Sequence, residues 1–115
     1  MDRDDRLERY KRIVAAHEGV EVKGAKTPYT AINGNMFSFL DDQGCLCLRF
    51  SEHRKADLNT QQGTTDVLQY GAVMKGYVRV PEDVLGKDAA IGALFAESLQ
   101  YARGLKPKPT KKGAK

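Results

Sequence analysis

The sequence has no tryptophan, two cysteines, two histidines, four prolines and no long apolar run. Its longest apolar stretch, residues 89–96, is interrupted by Gly92 and falls far short of the ~18 residues that a membrane span requires. The opening MDRDDRLERYKR lacks the apolar segment of a secretory signal, which makes the cytoplasm the expected compartment. Cys45 and Cys47 are separated by one residue. On a strand their Cα atoms would lie ~6.6 Å apart with parallel side chains, a poor geometry for a disulfide, and two free thiols suit a reducing compartment. The sequence also lacks G-x-S-x-G, G-x-G-x-x-G and Walker patterns, so the common hydrolase and nucleotide-binding signatures are missing.

What is present is one ordinary domain of 115 residues with a lopsided charge. The chain carries 19 basic and 15 acidic residues, net +4. Five of the lysines (Lys106, Lys108, Lys111, Lys112 and Lys115) fall in the last ten residues, KPKPTKKGAK, which contain no acid. Residues 1–105 therefore hold 14 basic and 15 acidic residues and are close to neutral. The expected division is a domain over 1–105 and a disordered basic tail over 106–115, which could make weak, non-specific, salt-sensitive nucleic-acid contact or merely solubilise the chain.

Hydrophobic periodicity places the elements. Leu7, Tyr10, Ile13, Val14 and His17 have helical spacing over residues 2–17. From Val20 the period becomes two, with strands expected over 20–23, 28–32, 36–40 and 45–50. Asn33-Gly34 is the strongest short hairpin signal, and residues 41–44 read as a second tight turn. Ser51 can cap a short helix over 52–58, followed by a polar loop over 59–65. Strands are expected over 66–70 and 76–80, the latter stopped by Pro81. A long helix begins near Asp88, buries Ile91, Leu94, Phe95, Ser98, Leu99 and Ala102, and ends at Gly104. The expected class is α+β: an antiparallel sheet with an amino-terminal helix, a short middle helix and a long carboxy-terminal helix in a layered sandwich.

A two-residue loop at 33–34 and a four-residue loop at 41–44 fix a register. They pair Thr30 with Phe37, Leu40 with Cys45 and Phe39 with Leu46. One face then carries Ile32, Phe37, Phe39, Leu46, Leu48 and Phe50 as the core. The opposite face carries Tyr29, Ala31, Met36, Ser38, Leu40, Cys45, Cys47 and Arg49, joined by Tyr77 and Arg79. This second face is too apolar for an ordinary solvated sheet. Either another part of the chain covers it, or it meets a protein partner, a second copy or a small molecule. The interaction surface expected from this register is Tyr29, Met36, Leu40, Cys45, Cys47, Arg49, Tyr77 and Arg79, with the two arginines at a polar rim.

Met74-Lys75-Gly76-Tyr77-Val78-Arg79-Val80-Pro81 has the look of a family signature. It precedes a helix ending Ser98-Leu99-Gln100-Tyr101-Ala102-Arg103 and a Lys-Pro exit. Upstream lie Asn33-Gly34-Asn35-Met36-Phe37 and Cys45-Leu46-Cys47-Leu48-Arg49-Phe50. Over residues 1–106 the chain resembles the TfoX amino-terminal domain family, named for bacterial competence regulators. The resemblance implies a bacterial α+β sandwich without assigned activity, cofactor or catalytic residues. The larger regulators add a carboxy-terminal domain where this sequence has its basic tail.

Other chemistry is thinly supported. Cys45 and Cys47 with His17 and His53 have the ligand count for zinc, but structural sites favour C-x₂₋₄-C on a turn, so no metal is expected. Cys47 near His53 is the sole candidate for a nucleophile and base. Asp41-Asp42 suit turn geometry better than catalysis. Lys75 and Arg79, with Tyr77 and Lys23, could form a small cationic patch or merely blunt a strand edge. The expectation is a binding or regulatory module, not an enzyme, whose partner is a second copy or another protein.

Overall fold

The computed structural model describes residues 2–24, 27–69 and 71–107. The expected tail lies outside these beyond Pro107. The order is α1 (Arg3–Ala15), β1 (Tyr29–Ile32), β2 (Asn35–Leu40), β3 (Leu46–Arg49), α2 (Glu52–Gln61), β4 (Thr65–Gln69), β5 (Ala72–Arg79), α3 (Glu82–Leu85) and α4 (Asp88–Arg103). The fold is α+β: a five-stranded sheet of order β1-β2-β3-β5-β4, antiparallel at each pairing, with helices layered against it.

Local chemistry explains most boundaries. Asp2 and Asp5 form a reciprocal capping box at the start of α1. Ser51 caps α2 by accepting from the Arg54 N–H. Asn33 and Gly34 both take positive φ, 54° and 80°, as the β1–β2 turn demands. Pro81 ends β5's run and starts the single turn of α3, which the sequence pattern did not indicate. The buried residues of α4 are the six expected, although Lys87 occupies the cap position and Asp88 begins the helix. Residues 20–23 form no strand; Lys23 makes one isolated bridge to Tyr29. Helix α2 runs on to Gln61, where a loop was expected.

The register differs from expectation in two places. Between β2 and β3 the connection is one residue longer, and Leu40 pairs with Leu46. The cause is Asp41. Its Oδ1 accepts from the Gln43 and Cys45 N–H groups, and its backbone N–H donates to the Cys45 carbonyl. Cys45 is thereby taken out of the strand. Between β1 and β2 a bulge pairs Thr30 with Ser38 and leaves Phe37 without a partner in either ladder. The Ser98 hydroxyl of α4 lies against the Phe37 and Arg49 carbonyls.

A slip of one residue exchanges faces. Leu40 and Ser38 therefore belong to the helix-covered core, not to the second face. Phe39, expected in that core, turns to the second face with Cys47. The helix side holds one row across all five strands: Thr30, Ser38, Leu48, Val78 and Asp66. Its polar members are satisfied within the core. Tyr10 of α1 and Thr30 each bond the Ser38 hydroxyl. Lys55 of α2, itself buried, reaches Asp66.

An arginine row that the sequence pattern did not bring forward fastens α1. Arg3 donates to the Asp41 carbonyl and Arg6 to the Gln43 carbonyl. Arg9 donates to the Leu85 carbonyl. Arg6 and Arg9 also pair with Glu82 and Asp88. The signal was present in the spacing: arginines three residues apart share one face of a helix.

Candidate interaction face of the sheet

The matching row on the second face is Tyr29, Phe39, Cys47, Arg79 and Thr65. Phe39, Cys47, Val67 and Tyr77 make a second apolar cluster, separate from the helix-covered core, with Tyr29, Met36 and Met74 packed around it. The Phe39 and Tyr77 rings tilt against each other with centroids 5.5 Å apart. The Tyr77 hydroxyl donates to the Met36 carbonyl at 2.8 Å. The Arg49 guanidinium sits 6.0 Å from the Tyr77 ring centre.

The centre of this face is already buried. Cys47 is fully enclosed and Phe39, Val67 and Tyr77 nearly so. Thr27, before β1, and Leu68, on β4 at the opposite edge, line one cleft of about 470 Å³ with Phe39, Asp41, Asp42, Gln43 and Arg79. Arg79 is committed inside the chain. Its guanidinium bonds the Asp41 carboxylate at 2.7 and 3.3 Å and the Gln43 side chain at 3.2 Å. That bonding raises its pKa and ties the β2–β3 turn to β5.

Comparison of the chain with protein-family models, curated proteins and solved structures gave no match.

Of the eight residues expected to form a surface, the structure brings Tyr29, Met36, Cys47, Arg49, Tyr77 and Arg79 to the second face. Cys47 is sealed beneath its neighbours. Leu40 is on the opposite side of the sheet and 1% exposed, so it touches no partner. Cys45 is half-buried in the turn. Lys23 does not join Arg79 in a cationic patch: Arg79, on β5, bonds Asp41, while Lys23 bridges Tyr29 at the β1 edge of the sheet.

The cysteine chemistry also separates in space. His53 lies on α2, 92% exposed beside Asp57, away from the Cys47 side of the sheet. His17 packs on Phe95 of α4, ring centres 5.0 Å apart. Among the described residues no three His, Cys, Asp or Glu side chains cluster as metal ligands. None of the helices among those residues is long and apolar enough to cross a membrane.

Burial pushes the Cys47 thiol up to about 12, and the Tyr10 and Tyr77 hydroxyls likewise to about 12. Unfolded, these groups release their protons at about 8.5 to 10. The fold thus holds more protons than the unfolded chain between those values and about 12. Its stability is complete below the unfolded pKa values and is lost as pH rises through the folded ones. Thermal melts are expected to show Tm falling steadily above about pH 9. A Tm unchanged from pH 8 to 11 would contradict this burial.

Proposed function

We propose that this chain is a small non-catalytic protein-binding module of the TfoX amino-terminal kind, working in a bacterial cytoplasm, and that the protein it binds is a second copy of itself. One observation carries the reading. Among the described residues the large apolar side chains left exposed are Leu68, at 66%, and Val73, at 51%, and they oppose each other across the β4–β5 hairpin. Leu68 also borders the cleft floored by Phe39. A pair of exposed aliphatic side chains beside an aromatic floor suits apolar burial against a protein. The sealed thiol of Cys47, held protonated, supports a role without nucleophilic chemistry.

Sedimentation velocity from about 1 to 200 µM tests the reading, since such a contact corresponds to roughly −6 to −8 kcal/mol. The expected result is a reversible monomer–dimer transition, weakened by Val73→Glu. A monomer throughout that range would overturn it. A parallel DNA and RNA titration, on the full chain and on one ending at Leu105, separates the alternative of a nucleic-acid-associated regulator. Binding that disappears with the tail belongs to the lysines alone.

A further inference from the structure

We propose that β4 is an open strand edge to which the β4 of a second copy adds, antiparallel, about a two-fold axis at Val67. The proposal rests on the self-binding reading and specifies its geometry. Strand β4 is terminal in the sheet and, among the described residues, has β5 as its one neighbour. The side chains of Thr65, Asp66 and Leu68 are exposed, and among the described residues no strand pairs with β4 on its outer side.

The two edges of the sheet are treated differently. At β1 the Lys23 N–H donates to the Tyr29 carbonyl and the Tyr29 N–H donates to the Lys23 carbonyl, at 2.8 and 2.9 Å. At Tyr29 that edge is paired by backbone and marked by a lysine, a common guard against strand addition. Strand β4, TDVLQ, has no lysine and no proline. Its one charge, Asp66, is turned to Lys55 and Asn59 of its own chain.

Self-pairing fits the sequence of the edge. Full antiparallel overlap of Thr65–Gln69 with its copy must centre on Val67. It sets Thr65 opposite Gln69 and Asp66 opposite Leu68, so no like charges meet. The Leu68–Val73 pair lies beside the new junction and gains cover from it. Because each copy offers one β4, pairing about the two-fold stops at two copies, giving a ten-stranded sheet with isologous contacts. A five-residue strand pair with two aliphatic side chains is smaller than a standard interface, which predicts a micromolar dimer.

The test uses the full chain. Amide hydrogen exchange over residues 65–69 is measured at about 2 and 200 µM, beside the dimer mass, for wild type, Leu68→Lys and the control Ala93→Lys. Leu68 and Ala93 are both exposed, so both variants are expected to fold. The expected result is at least tenfold slower exchange of the β4 amides at high concentration, lost in Leu68→Lys together with the dimer and kept in Ala93→Lys. A dimer whose β4 amides exchange equally at both concentrations overturns the edge pairing and leaves self-binding standing. A chain that stays monomeric overturns both. Masses growing beyond two copies overturn the two-fold.

Discussion

Leu40→Glu is expected to unfold the protein. Leu40 is 1% exposed and sits between the sheet and its helices, opposite Leu46 in the ladder. Removing its side chain as Leu40→Ala is expected to cost about 2–5 kcal/mol from lost burial and the residual cavity. Placing an unpaired carboxylate there costs more still, against a total stability of about 5–15 kcal/mol for a domain. Circular dichroism and urea titration read both variants. A folded Leu40→Glu with altered self-association would restore the register in which Leu40 faces a partner. Met36→Glu is the contrasting substitution: Met36 is half-buried at the margin of the second face and is expected to leave the fold standing.

Gly76→Ala is expected to be nearly as damaging, for a different reason. Gly76 has φ +80°, a left-handed conformation that costs a residue with a side chain about 1–2 kcal/mol. An added Cβ would also sit 2.9 Å from the Phe50 carbonyl oxygen. The backbone cannot easily give way, because the Phe50 N–H donates to the Gly76 carbonyl at 2.7 Å. The combined loss is expected to exceed about 2 kcal/mol, read as a lower urea midpoint. Gly92→Ala supplies the control. Gly92 lies within α4 with nothing near its missing Cβ, so alanine there is expected to stabilise the helix by up to about 1 kcal/mol.

The elements most legible in the sequence are those set by neighbours in the chain. The α4 stripe, the Ser51 cap and the Asn33-Gly34 turn each depend on residues within a few positions of one another. Strand register is different. It was decided by the Asp41 side chain reaching Cys45 and by the bulge at Phe37, neither of which alternation reveals. Strand β3 shows why: Leu46, Cys47 and Leu48 are all buried, on alternating faces, so hydrophobicity does not say which side is which. The apolar character of the second face was readable, but its cover was not. The cover comes from side chains of separate strands, among them Tyr29, Met36 and Met74, which no local pattern encodes. Likewise the polarity of residues 59–61 describes the solvent side of α2 and not the absence of a helix.

The arrangement of α4 has a consequence during synthesis. Strands β1, β2 and β3 are complete by Arg49, yet the helix that packs on all three spans Asp88–Arg103. The contacts of Arg6 and Arg9 in α1 with Glu82 and Leu85 each bridge 76 positions. A nascent chain emerging at about 5–20 residues per second therefore carries its half-built meander with one apolar side bare for several seconds. That interval, more than the finished fold, is when the protein is open to chaperones and to aggregation.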